Sequence, residues 1–330
     1  MRASRGGIRA SISLAVSIAL FLGAIWIVLN QQYIVDRISV LQYSPSAEIV
    51  ELTNTVDYTD EGRFYFYAAR PIIDGTTLFN KMCERQEKES AILGCYVNNL
   101  IYIFDVKNEK LAGVKTVTAA HEMLHVAYRR LSASEKERVD ELLTQEHAKQ
   151  NSPDLKGRME YYERTEPGEK FNELHSIIAT EFSDISPELE KYYSRFFNDR
   201  QKIVALHDSY NSQFKELSNK QQSLSKELDT LAAEIKQLSE QYNVSVDELN
   251  GNISRFNDRA ASGYFVSEAE FNTSRGQLQE KSDQLAALRN EVDGKVAQYE
   301  AKRVEYNTIV GETNKLQESL DSSLAPPPSL

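Results

Sequence analysis

Thr116-Val117-Thr118-Ala119-Ala120-His121-Glu122-Met123-Leu124-His125-Val126-Ala127-Tyr128-Arg129-Arg130 is the stretch on which the reading of this chain turns. Val117, Ala120, Leu124 and Ala127 recur at helical spacing, which predicts an amphipathic helix over 116–130. Within it His121-Glu122-Met123-Leu124-His125 spells HExxH. Residues four apart lie one above the other on a helix face, so both imidazoles can reach a single cation. Glu122, between them, is then placed to take a proton from a water on that cation. The chain has five histidines, so a chance match is rare, and the expected ion is a single Zn2+.

Segments on either side supply the context. Phe64-Tyr65-Phe66-Tyr67-Ala68, Ile92–Tyr96 and Leu100–Val106 read as strands, with Pro71 ending the first and Asn98-Asn99 turning between the other two. An edge strand ahead of such a helix would form a shelf for an extended peptide. Lys107–Gly113 reads as a polar, hairpin-like lead into the helix. After it, Ser132-Ala133-Ser134-Glu135 is a capping box. Asn151–Gly168, with Pro153, Gly157, Pro167 and Gly168, reads as a loop. Glu169–Phe182 repeats apolar residues at helical spacing, and Ser186-Pro187 opens a further helix.

Two imidazoles need a third protein ligand, leaving one position open for water. Glu169–Phe182 offers Glu173, Glu181 and His175. In this respect Asn172-Glu173-Leu174-His175-Ser176 resembles the glutamate-bearing helix of gluzincin-type zinc metallopeptidases, in which HExxH is followed by a glutamate ligand on a later helix. The resemblance covers roughly Phe64–Arg200 and implies a zincin-like domain. It implies the ligand set His121, His125 and Glu173, with Glu181 in reserve, and Glu122 as general base and acid in peptide hydrolysis. The chain departs from branches in which an acidic residue follows the ligand glutamate by four: Ile177 stands there, so the partners that orient the histidines are not identified. Tyr161, Tyr162 and His175 are the candidates for stabilising an oxyanion. His147 ends a charged helix and reads as solvated.

The rest of the 330-residue chain frames this centre. Ala10–Leu29 carries no charge, and about twenty helical residues span a bilayer's hydrocarbon core. Arg2, Arg5 and Arg9 precede it, so the positive-inside rule leaves the N-terminus cytoplasmic and the rest of the chain outside. A cleaved signal peptide is the competing reading, but the apolar run continues through Trp26-Ile27-Val28-Leu29, past the weak Gly23-Ala24 site. Cys83 and Cys95 suit a disulfide in that compartment, the alternative being two unrelated thiols. A net charge of −11 and the absence of any basic run argue against nucleic acid as a partner.

From about Ile203 the pattern becomes heptad. Ile203, Tyr210, Leu217, Leu224, Leu231 and Leu238 form one row, and His207, Phe214, Gln221, Leu228, Ile235 and Tyr242 the other, with His207 a polar register device. Ser245–Arg259 reads as a short further helix. Gly263 breaks the chain, Ser267 caps a second long helix, and an antiparallel hairpin follows, with pairing between chains as the runner-up. The expected fold class is thus α+β: a cytoplasmic stub (1–9), transmembrane anchor (10–29), juxtamembrane linker with one short helix (30–61), zincin-like domain with a small sheet packed on the HExxH helix (62–200), coiled-coil hairpin (201–322) and Pro-rich tail (323–330). The expected function is a membrane-anchored zinc metallopeptidase acting on a peptide or protein outside the cytoplasm, with a coiled-coil partner or self-association as a further contact. The alternative is a non-catalytic envelope scaffold working through its coiled coil.

Overall fold

The computed structural model describes residues 5–83 and 93–322, with side chains from Leu14 onward. The described chain is mostly helical, with one three-stranded sheet. It divides into two units: Met1–Ser212 together with Leu316–Leu330, and Gln213–Lys315.

The first unit opens with α1 (Arg5–Leu29), whose side chains from Leu14 to Leu29 are exposed on all sides. At Asn30, whose side-chain amide donates to the Trp26 carbonyl (2.8 Å), the chain turns by 72° into α2 (Gln31–Gln42). Among the described residues no single helix is long and apolar enough to cross a membrane; Leu14–Leu29 and Gln31–Gln42 pass that test only as the bent pair. α2 and α3 (Ala47–Val56) occupy the stretch expected as a linker with one short helix, and both are structural parts of the domain. Asp36 of α2 is buried against Arg130 (2.9 and 3.1 Å), and α3 buries Ile49, Leu52 and Val56.

The aromatic run 64–68, expected as a strand, belongs to α4 (Asp60–Ala68). Thr59 accepts a hydrogen bond from the Gly62 amide (3.1 Å), and Asp60 and Glu61 fill the first turn. Cap and helix dipole decide here against the strand preference of aromatic side chains, which is weak compared with tertiary context. A side chain at position 62 would collide with the Phe196 carbonyl, so glycine is required there.

β1 (Ile72–Asp74), not anticipated from the sequence, leads into α5 (Thr76–Met82). β2 (Gly94–Val97) and β3 (Leu100–Phe104) form a hairpin through Asn98 and Asn99, both at positive φ (51° and 60°), the conformation a two-residue hairpin turn demands. The order is β1-β3-β2, with β1 parallel and β2 antiparallel to β3. β2 is therefore an edge of the described sheet. It begins two residues later than expected, Ile92 lying outside the described residues, and β3 ends at Phe104 rather than Val106. The predicted disulfide is formed, tying Cys83 at the end of α5 to Cys95 of β2; residues 84–92 of its loop lie outside the described residues.

A short 3-10 turn (Glu109–Leu111) replaces the expected hairpin-like segment before α6 (Val114–Arg130), the HExxH helix. α6 packs on the sheet, on α3 and on α4, so nearly all its length is buried. α7 (Ala133–Lys149) starts at the predicted capping box of Ser132 and Glu135. α8 (Pro153–Thr165) occupies the expected loop. Ser152 accepts from the Leu155 amide (3.2 Å), Pro153 takes the first helical position, and Leu155 and Met159 are buried. This is the same Ser-Pro start as at 186–187, and Gly157 sits in open space where its helix cost is tolerated. α9 (Lys170–Glu181) and α10 (Pro187–Tyr193) follow as expected.

α11 (Arg200–Ala261) starts inside the first unit. Ile203 and Val204 are buried in its core, so the boundary falls after Ser212 rather than at 201. The chain returns at the end of α12 (Glu268–Leu320), where Ser319 meets Asn108 (3.0 Å) and the Ser322 carbonyl accepts from Asn80.

In the second unit α11 and α12 run antiparallel. Gln221 bonds to Tyr306 (3.3 Å), Glu227 to Lys302 (2.9 Å) and Glu234 to Lys295 (2.7 Å), a descending register that only an intramolecular hairpin produces within one chain. The expected short helix 245–259 is continuous with α11. The turn pivots on Gly263 (φ 67°) above a cluster of Phe256, Phe265 and Phe271 with ring centroids 5.1–5.4 Å apart.

Candidate metal centre

α6 and α9 pack against each other, with His125 of α6 beside Ser176 of α9 and Tyr128 beside His175. That close approach brings the polar edges of the two helices together at one end of a cleft. On α6, His121 and His125 follow each other by one turn, their rings 4.7 Å apart and nearly perpendicular. From α9, Glu173 reaches both: Oε2 lies 3.6 Å from His121 Nε2 and Oε1 lies 3.5 Å from His125 Nε2.

These separations are informative. Four ligands about 2.0–2.1 Å from a tetrahedral ion stand about 3.3–3.4 Å from one another. The observed nitrogen–oxygen spacings are within a few tenths of that edge length, and each imidazole offers its Nε2. His121, Glu122 and His125 also present ligand atoms within 4.8 Å of one another. His121, His125 and Glu173 thus carry nitrogen and oxygen donors of the kind a divalent cation takes, each imidazole facing a different oxygen of the carboxylate. The alternatives for the third donor are engaged elsewhere. Glu181 takes both prongs of Arg158 (2.7 and 2.9 Å) and lies 3.7 Å from His207 Nε2. His175 is wholly buried among Tyr128, Tyr192 and Tyr193, with Nε2 3.0 Å from the Tyr192 hydroxyl.

Electrostatics follow the geometry. Burial alone would raise the Glu173 carboxyl; the adjacent His125 and His121, with Arg158 behind them, outweigh it and bring it down to about 2. For His121 burial works against protonation, and contact with Glu173 more than compensates, moving its pKa up. Burial pushes Glu122 up, partly offset by His125 and His121. Burial pushes His175 well down, so it is neutral.

Glu122 sits differently from the other carboxylate. It is 4% exposed, and its Oε2 has no hydrogen-bond partner. Its other oxygen lies under β2, where a Cβ on Gly94 would fall 2.6 Å from Oε1 and 2.5 Å from Thr118 Cγ2. Glycine at the start of the edge strand is what leaves room for this carboxylate. An unpaired buried carboxylate oxygen is costly to keep, which marks Glu122 as a candidate functional group.

Three further features escaped the sequence reading. Ser176 Oγ lies 3.4 Å from His125 Nδ1 and donates to the Asn172 carbonyl (3.3 Å). With the proton on Nδ1, the ring donates to Ser176 and leaves Nε2 free on the side of Glu173. The signal was a small residue one turn after Glu173. Gly94 carried no signal before its register opposite Glu122 was known. His207, read as a seam residue of the coiled coil, belongs to the first unit, where it is 14% exposed and faces Glu181.

The site opens into a cleft of about 1350 Å³ bounded on one side by β2 and on the other by α8, which contributes Arg158, Tyr161 and Tyr162. Both oxyanion candidates of that pair thus line the cleft from a helix rather than a loop, and His175 does not line it. His147, expected to be solvated, is partly buried on α7. Compared with known protein families, with curated proteins and with solved structures, the chain matches none.

Proposed function

We propose that this chain is a zinc-dependent peptidase of zincin-like architecture, held to a membrane by its N-terminal helix with the cleft on the extracytoplasmic side. One observation carries the reading: a carboxylate from α9 spans the two imidazoles of HExxH while the motif's own glutamate stays buried and unpaired beside them. A bound divalent cation would polarise the scissile carbonyl and the attacking water. The chain's residues do the remainder. An extended peptide lies along the β2 edge, which offers backbone groups for pairing. Glu122, its proton affinity raised by burial, accepts the proton of the attacking water and hands it to the leaving amine. The cleft walls hold the peptide and keep bulk water out. Exposed apolar side chains along α1 from Leu14 to Leu29 and a disulfide between Cys83 and Cys95 both suit a membrane-tethered protein outside the reducing cytoplasm.

The scaffold alternative leaves Glu122 without a use, since a glutamate that neither binds metal nor pairs with a neighbour only destabilises an inert helix. The test is metal content and peptide hydrolysis by the full chain, wild type beside Glu122→Gln and Glu173→Ala. One zinc per chain with hydrolysis in the wild type, zinc retained but hydrolysis lost in Glu122→Gln, and zinc lost in Glu173→Ala are the expected results. Hydrolysis undiminished in Glu122→Gln would refute the role assigned to it.

A further inference from the structure

We infer that α2 is a second membrane contact, lying flat in the lipid interface and holding the domain at a set attitude to the bilayer. The inference rests on the reading of α1 as the anchor and goes beyond it. α2 has two dissimilar faces. Its inner face is fastened to the domain: Asp36, 2% exposed, pairs with Arg130 at the end of the HExxH helix, and Arg130 donates to the Tyr96 hydroxyl on β2 (2.7 Å). Arg37 is folded back over the rings of Tyr33 and Phe64 (5.1 and 5.0 Å). Residues 31, 34, 35, 38, 41 and 42, spaced along the opposite stripe, are Gln31, Ile34, Val35, Ile38, Leu41 and Gln42, without a charge among them. Val35 is 51% exposed, Ile38 48% and Leu41 86%.

What covers this stripe follows from what precedes it. α2 continues directly from α1, whose apolar side chains are exposed through Leu29 (78%) at the bend. The 72° turn sends α2 nearly at right angles to α1. Its other face is committed to Asp36–Arg130 and to packing on α4, so the crossing falls to the uncharged run Ala10–Leu29, four residues longer than the Leu14–Leu29 stretch that is too short by itself. A helix perpendicular to an anchor, apolar and uncharged on one side and docked to a polar domain on the other, is the form of an interfacial helix. The occupant of the stripe is therefore the acyl and glycerol layer of the same bilayer. Because Asp36, Arg130 and Tyr96 link α2 rigidly to β2, the strand bordering the cleft is held at a fixed height from the lipid.

The full-length chain in phosphatidylcholine vesicles tests this. Its two cysteines are joined to each other, so a single added cysteine can carry a nitroxide, whose collisions with oxygen and with a water-soluble nickel chelate report depth. Labels at Ile38→Cys and Leu41→Cys are compared with Leu20→Cys in α1 and Val304→Cys in the hairpin. The expected result is nickel accessibility several-fold lower, and oxygen accessibility higher, at 38 and 41 than at 304. Water-like values at 38 and 41 with lipid-like values at 20 overturn the interfacial helix and leave the anchor standing. Water-like values at 20 as well overturn both. Spin–spin broadening at 38 and 41 without lipid contact would assign the stripe to a second copy of the chain and also overturn the inference. Leu41, almost fully exposed, is the position least able to disturb the fold.

Discussion

Replacing Gly94 by alanine should disable the site without touching a ligand. The added Cβ would stand 2.6 Å from Glu122 Oε1, 2.8 Å from its Cγ and 2.5 Å from Thr118 Cγ2. Ordinary carbon contacts are about 3.5–4.0 Å, so Glu122 or the strand must give way by roughly 1 Å. Thr118 can relieve its own contact by taking its second helical rotamer, but that leaves the two contacts to Glu122 in place. The strand is held by β3 on its inner side and by Cys83 through the disulfide. The carboxylate therefore moves. A displacement of about 1 Å in a reacting group costs about a hundredfold in rate, or about 2.7 kcal/mol of barrier, and overpacking costs about 1–3 kcal/mol of stability. Zinc content should be unchanged, since His121, His125 and Glu173 come from α6 and α9. Turnover of a quenched peptide, metal content and thermal unfolding of Gly94→Ala read the three effects separately. Turnover within a factor of two of wild type in a folded, zinc-loaded variant would refute both the placement of Glu122 and its part in the chemistry.

Ser176→Ala should weaken zinc about tenfold in chelator competition, the lower end of the range for removing a group that orients a histidine ligand, because the contact is long at 3.4 Å; unchanged affinity would remove Ser176 from that role. Asp36→Ala leaves Arg130, 9% exposed, without its carboxylate and should destabilise the domain by about 3–5 kcal/mol in denaturant unfolding; a change under 1 kcal/mol would show the pair to be inessential. The metal-free protein should lose stability as pH falls from about 4.5 toward 2. Glu173 titrates at about 2 when folded against 4.5 for a free carboxyl, so the unfolded chain binds more protons in that window, and the contribution is complete above it. Glu173→Gln should flatten that acid limb in a pH series of unfolding curves, and an unaltered limb would contradict the pairing with the histidines.

Local rules were enough for much of this chain. HExxH on a helix is visible because helical periodicity and the four-residue spacing are properties of neighbouring residues. Ser132 with Glu135, Ser186 with Pro187, Asn98-Asn99 and the break at Gly263 are legible for the same reason: cap and turn chemistry acts over three or four positions. The heptad rows from Ile203 to Tyr242 and the cap at Ser267 announced two long helices, though not where the first one leaves the globular unit. The misreadings share a cause. Residues 64–68 were read by composition as a strand and 151–168 by their Pro and Gly as a loop, while caps at Thr59 and Ser152 started helices in both. Residues 30–61 are polar and mixed in composition, but α3 needs only Ile49, Leu52 and Val56 on one face to join the core.

The choice of Glu173 over Glu181 is of another kind. Both lie on α9 with similar neighbours in sequence, and nothing local separates them. Packing of α9 across α6 turns Glu173 to the imidazoles, whereas Arg158 from α8 and His207 from the root of α11 take Glu181. The room that Gly94 leaves for Glu122, the Ser176 contact to His125 and the uncharged outer stripe of α2 are likewise settled by tertiary placement. Sequence determined which residues can carry the chemistry, because periodicity and caps are short-range. Only the fold decided which of them meet, because meeting depends on helices distant in the chain being pressed together by the core they share.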